Sequence, residues 1–368
     1  MVSSRLVLTF PVSLLILIIA GSSYAQAPIQ TLGIDIIDAR SLSEAQKKRV
    51  EVFTSYWCSQ LTSAETTGKV EAARKELLKP LNSVAGPSPV FRFEYSGQIL
   101  PRLTPLITGD GSPHTASNAF LVLGELASRR SIELMIRHSD SRHEKRLYIR
   151  ILASQNCEKT LTYFSDTLKP REIGFAVRGL RNAAQREDNP TVLSHQLGGI
   201  QAIQTPDAME ALLDALEKVV EKTQAPHEGV NPLIKPFSEA VKEMRQDFIK
   251  LPGAEKKRIS RKLSPVLGAY FSAAMNNWDA AHADSKFTKQ YSSPLRVCES
   301  LQKMIMSELS ISAPNTDLQN LWDRGEKARF TEDMNKWNLI LGRSQFHDGA
   351  VEVSTQARPV GRALGRGG

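Results

Sequence analysis

Apolar residues recur at helical spacing in one segment after another, and this pattern predicts an all-α chain. Val50, Phe53, Tyr56, Trp57 and Leu61 share one face of a first helix capped at Ser41 or Ser43. A second helix is predicted from about Lys69 to Lys79, with Val70, Ala73 and Leu77 inward. Pro80 and the loop Val84-Ala85-Gly86-Pro87-Ser88-Pro89 end it, so residues 41–87 read as an N-terminal helical hairpin. Phe91, Phe93 and Tyr95 alternate as a strand would, yet Leu100, Leu103 and Ile107 extend the segment as a helix with a proline bend.

The middle of the chain repeats a phrase. Leu121-Val122-Leu123-Gly124-Glu125-Leu126-Ala127-Ser128 returns as Leu147-Tyr148-Ile149-Arg150-Ile151-Leu152-Ala153-Ser154, and more loosely as Phe175-Ala176-Val177-Arg178-Gly179-Leu180. Leu126 and Leu152 are 26 positions apart, and Leu152 and Leu180 are 28 apart. Two helices of roughly ten residues with short turns need about that length, so each period predicts one helical hairpin. The stretch from Asn118 to Ala127 resembles the first helix of a HEAT-type repeat, and Ser131-Ile132-Glu133-Leu134-Met135-Ile136 resembles the second. The resemblance covers roughly residues 90–204 and implies a short α-solenoid whose second helices line a concave binding surface. The period is shorter than the ~40 residues of a HEAT unit. Gly198-Gly199 is expected to weaken the last helix of the array, placing the end of the repeat region, 88–204, there.

Residues 205–348 repeat none of this and predict an irregular helical bundle. Thr205-Pro206 is a cap followed by proline at the first helical position, and Met209, Leu212, Leu213, Leu216, Val219 and Val220 trace one face after it. Phe237, Val241, Met244 and Phe248 mark the next helix. A short basic helix is expected over Glu255–Leu263. Ser264-Pro265 is read as opening another helix to Trp278, followed by helices over Pro294–Leu309 and Leu318–Leu341. Trp278, Trp322 and Trp337 are assigned to the core because each sits in a predicted helix.

The ends carry different information. Arg5, the apolar run Leu6–Ala20 and Ser23-Tyr24-Ala25 form the pattern of a secretory signal peptide over residues 1–25, cleaved after Ala25. An uncleaved N-terminal membrane anchor is the alternative, although the run is short of the ~20 residues that span a bilayer. The expected location is therefore periplasmic or extracellular. Residues 26–40 read as a linker, and 349–368 as a disordered basic tail carrying Arg358, Arg362 and Arg366.

Composition changes this picture little. The formal charge of +8 becomes +7 once Arg5 leaves with the signal, a mild bias toward anionic partners. Export argues against nucleic acid. Cys58, Cys157 and Cys298 form no CxxC pair and read as buried small hydrophobes.

No HExxH, GxSxG, P-loop or GxGxxG occurs, so no cofactor and no catalytic residue is assigned. His138 and His143 flank a polar turn, read as a solvated connection rather than a metal site. Two basic clusters stand out instead. Arg129, Arg130, Arg137, Arg142, Lys145, Arg146 and Arg150 belong to the repeat region, and Lys256, Lys257, Arg258, Arg261 and Lys262 put five positives in seven positions. Arg137, Arg142, Arg146 and Arg150 of the first cluster, with all five of the second, are the candidate partner-binding set. The expected function is an exported, non-catalytic helical-repeat scaffold that binds another protein. Two alternatives stand beside it: a helical enzyme or enzyme subunit whose site is assembled from distant residues, and a binder of anionic envelope polymer or membrane surface.

Overall fold

Helix starts are encoded locally. Proline occupies the first helical position at Pro89, Pro113, Pro170, Pro190 and Pro206, where its missing N–H costs nothing. Side-chain oxygens of Ser88, Ser112, Ser128, Asn189 and Thr205 accept hydrogen bonds from the first-turn N–H groups. At Ser43 the cap is reciprocal: Ser43 Oγ accepts from the Gln46 N–H, and Gln46 Oε1 accepts from the Ser43 N–H at 2.9 Å.

The structure, a computed structural model, describes residues 31–63, 66–82, 86–109, 112–224 and 231–342. The signal segment 1–25, residues 110–111 and 225–230, and the basic tail 349–368 lie outside the described residues. Among the described residues the fold is all-α, with sixteen α-helices and no strand. They are α1 (Ile34–Ile37), α2 (Glu44–Ser63), α3 (Thr67–Leu78), α4 (Pro89–Thr108), α5 (Pro113–Leu126), α6 (Arg129–Ser139), α7 (Leu147–Phe164) and α8 (Pro170–Ala184). There follow α9 (Pro190–Gln201), α10 (Pro206–Thr223), α11 (Ile234–Lys250), α12 (Gly253–Asn276), α13 (Trp278–His282), α14 (Ser285–Glu308), α15 (Leu318–Asp323) and α16 (Lys327–Leu341).

From α5 to α12 most helices pack on the next but one, and several also pack on a neighbour in sequence. One layer runs α3, α5, α7, α9, α11, α14, and the facing layer runs α6, α8, α10, α12. Helices α2 and α4 pack together at the N-terminal end, and α16 closes on α12 at the other. A continuous apolar core lies between the layers, from Phe53 through Phe120, Leu161 and Phe237 to Trp322 and Trp337. Phe237 and Tyr270 stack across it with ring centroids 5.1 Å apart, each side chain contributing roughly 2 kcal/mol by burial.

The repeat differs from the spacing of the phrase. Helix α7 is 18 residues long and continues past its phrase to Phe164, and a 3₁₀ turn leads directly into α8, so no partner helix separates the second and third copies. The third phrase therefore lies in the opposite layer from the first two. The structural period is longer: one layer starts its helices at Pro113, Leu147, Pro190 and Ile234, which are 34, 43 and 44 residues apart. The alternation also continues past residue 204 as far as α14, and packing turns irregular only at α13, α15 and α16.

Gly198 and Gly199 do not interrupt α9, and the array continues beyond them. They sit inside α9 where it crosses α7, and a Cβ at Gly199 would stand 3.0 Å from Leu180 and 3.6 Å from the Glu158 backbone. Close packing of two helices outweighs the low helix propensity of glycine at this position.

Several boundaries shift for tertiary reasons. The predicted break at Ser264-Pro265 is absent, because α12 carries one buried stripe, Ile259, Leu263, Val266, Leu267 and Tyr270, straight through Pro265. Pro294 likewise lies inside α14. The single helix expected over Leu318–Leu341 is two, split where Gly325 takes a φ of 69° that favours glycine. Within the 26–40 linker, Ile34–Ile37 forms a helical turn that buries Ile36 and Ile37.

Candidate partner-binding surface

The first basic cluster divides in two. Arg146 and Arg150 are engaged at the edge of the array where the inter-helix turns meet. Arg146 donates to the Ile107 carbonyl at 2.8 Å, the Gly109 carbonyl at 2.7 Å and Glu144 at 2.9 Å, joining the turn after α4 to the turn after α6. Arg150 donates to Glu187 at 3.2 Å, and Arg186 to Asp140 at 2.6 Å, tying both to the turn after α8. Glu187 in turn accepts from the Asn189 N–H at 2.9 Å, and Lys222 at the end of α10 reaches Asp188 at 2.8 Å.

The turn expected to be solvated is therefore buried at His138, Ser139, Asp140 and Glu144. Burial alone would raise the Glu144 carboxyl, but hydrogen bonds from Arg146 and His138 hold it at about 2. Asp140 is likewise lowered, because the Arg186 hydrogen bond and the Arg142 N–H outweigh its desolvation. Desolvation pushes His138 below its ordinary value, so it is neutral near pH 7.

Arg137 and Arg142 remain exposed. Arg142 lies against its neighbour His143, with Nη2 2.8 Å from the ring. Arg137 has no ion-pair or hydrogen-bond partner among the described residues. It stands on α6 seven residues after Arg130, and Arg171 and Arg178 stand on α8 at the same spacing. Spacing alone gave no reason to connect the arginines of α8 with those of α6, because that requires knowing that α6 and α8 are neighbours.

The second basic cluster opens α12. Arg258 pairs with Glu210 of α10 and with Glu255 at 2.8 Å, Lys262 reaches Glu210 at 3.5 Å, and Lys256 reaches Glu308 at 3.4 Å. Lys257 and Arg261 are exposed and unpaired among the described residues. The α6–α12 layer is thus charge-striped: arginine on α6 and α8, acid on α10, and base on α12. Seams between stripes are joined by Arg181–Asp214 on one side and by the Glu210 pairs on the other.

A half-open groove of about 190 Å³ lies where the turn between α9 and α10 meets the end of α11 and the start of α12. Its floor is apolar, formed by Ile200, Ile203, Met209, Leu212, Leu251 and Ile259. Asp247, Lys250, Glu255 and Arg258 stand at its rim. Those charges answer one another, Lys250 with Asp247 at 3.6 Å and Arg258 with Glu255. The sequence placed a basic helix here but not the groove, whose walls come from four separate helices.

Other candidate chemistry is contained. Cys58, Cys157 and Cys298 are free thiols buried in the core, and burial pushes Cys58 and Cys157 up to about 12 and raises Cys298 further. Trp278, Trp322 and Trp337 are core residues. On the opposite layer His195 pairs with Glu158 at 2.6 Å, and Glu243 is raised by burial and by the nearby Glu158, Asp247 and Glu239 carboxylates. Among the described residues no three His, Cys, Asp or Glu side chains gather as a metal site, and no helix is long and apolar enough to cross a membrane.

No protein-family model matches the chain, and no curated protein matches it.

Proposed function

We propose that the protein is an exported, non-catalytic helical-repeat scaffold that binds another protein, with the groove between α9, α10, α11 and α12 receiving an apolar side chain of that partner. The groove carries this reading. Its lining is mainly apolar, and its rim acids and bases are already committed to each other, which suits uncharged burial better than proton transfer. The structural period of 34 to 44 residues adds support for a HEAT-like unit. The segment Arg5–Ala25 supports export.

The test is affinity capture by the mature chain from its own cell-envelope fraction, run beside the Met209→Trp variant, which fills the groove. One stoichiometric protein partner, lost with the variant while its melting temperature holds, is the expected result. Recovery of no partner, or of one indifferent to the filled groove, overturns the reading.

A further inference from the structure

We propose that the exposed arginine face of α6 and α8 docks an acidic segment of a partner protein. This rests on the scaffold reading only in taking a protein as the partner, since the face is distinct from the groove. Helix α6 buries Ile132, Met135 and Ile136, and α8 buries Ala176, Val177 and Leu180. On a helical wheel, Arg130 and Arg137 lie opposite the first stripe, and Arg171 and Arg178 opposite the second. All four are exposed, and none has an ion-pair or hydrogen-bond partner among the described residues.

The two helices touch directly. A Cβ at Gly179 would stand 2.7 Å from Ile136 Cγ2, so the absence of a side chain there lets α8 approach α6. Arg137 follows Ile136 and Arg178 precedes Gly179, which puts one arginine of each pair beside the crossing. Seven residues of helix rise roughly 10.5 Å, and packed helix axes stand about 8–10 Å apart. The result is a four-cornered array of guanidinium groups. Three residues of polyproline II chain also rise about 9 Å and return the side chain to the same face, so carboxylates at every third position of such a segment match the long side of the array.

The residue type narrows the ligand. Neither helix contains a lysine, whereas α12 is rich in them. The planar guanidinium fork favours paired contacts with discrete carboxylates over diffuse attraction. The surroundings argue against a flat anionic bilayer. None of the exposed large apolar side chains lies on α6 or α8, so nothing there would enter a lipid surface. Helix α10, packed on α8 in the same layer, presents Asp207, Asp214, Glu217 and Glu221 and would repel an extended negative plane. A strip two helices wide remains, which suits a single acidic chain.

The experiment measures anisotropy of a labelled Glu-Ser-Ser repeat peptide with the full chain at low and physiological salt. The variants are Arg137→Gln/Arg178→Gln on the face, Lys257→Gln/Arg261→Gln on α12 as a charge-matched control, and Met209→Trp in the groove. The expected result is saturable binding that weakens with salt and falls about tenfold in the face variant. The control and Met209→Trp are expected to leave it within about twofold. No binding by the natural chain, or equal loss in face variant and α12 control, overturns the proposal. So does Arg137- and Arg178-dependent binding to phosphatidylglycerol vesicles without peptide binding. Capture of an envelope partner that Met209→Trp leaves unchanged, with peptide binding intact, would count against the groove alone, leaving the arginine face standing.

Discussion

Arg146 and Arg137 lie close in sequence and belong to one basic cluster, yet the fold gives them opposite roles. At the turn edge three arginines meet carboxylates: Arg146 meets Glu144, Arg150 meets Glu187 and Arg186 meets Asp140. On the outer face of α6 and α8, Arg130, Arg137, Arg171 and Arg178 meet none among the described residues. A buried charge requires a partner to offset its desolvation, whereas an exposed one is hydrated and can stay free. Basic residues at the turns therefore hold the array together, and those on the outer face remain available for an external anion.

The largest effect that separates the two regions is expected from Glu187→Ala. Glu187 is buried, pairs with Arg150 and accepts from the N–H groups that open α9. Its loss leaves Arg150 without a carboxylate and is expected to cost about 3 kcal/mol in denaturant unfolding. A loss below about 1 kcal/mol would mean the turn edge does not hold the layers together.

Gly179→Val is expected next, at about 2 kcal/mol, because the new side chain must displace Ile136 at the α6–α8 crossing. It should also weaken the acidic-peptide binding by separating the arginine pairs. Unchanged stability with unchanged peptide binding would show that the close approach is unimportant.

Acid provides a third separation, because at the turn edge the fold lowers His138, Asp140 and Glu144. His138 is depressed below 6.5, so the unfolded chain takes up a proton there first, and stability begins to fall as pH drops through that value. Glu144 is depressed from 4.5 to about 2, so its contribution is complete above about pH 4.5 and is lost as pH falls toward 2. Unfolding midpoints measured across this range should decline in those two stages, and Glu144→Gln should flatten the lower one. A lower stage unchanged by that substitution would refute the assignment.

The smallest stability effect is expected from Arg137→Gln/Arg178→Gln, within about 0.5 kcal/mol of the natural chain. A larger loss would show that the outer face is structural after all, and the comparison would collapse.

Much of the helical content was legible because its signals are local. Caps at Ser43 and Thr205, the first-turn Pro206 and the buried stripes on α3, α10 and α11 appear where spacing put them. The failures occurred where a distant contact overrode a local cue. Pro265 did not break α12, Gly198-Gly199 did not end the array, and the phrase period did not match the hairpin period. Of the nine candidate site residues, the sequence found the basic character but not its division. Arg146, Arg150, Lys256, Arg258 and Lys262 are paired, while Arg137, Lys257 and Arg261 are exposed and unpaired among the described residues, and Arg142 rests on His143.

The sequence by itself determined that this chain is all-α, which residues face the core and that its cysteines sit among apolar neighbours. Helical periodicity, capping and side-chain hydrophobicity act within a few turns, so one chain segment suffices to read them. The tertiary structure alone decided which helices share a layer, which charges neutralise each other, and where a groove opens. Those outcomes depend on pairs of residues tens of positions apart, such as Ile136 with Gly179 and Glu210 with Arg258, whose meeting is set by packing rather than by spacing.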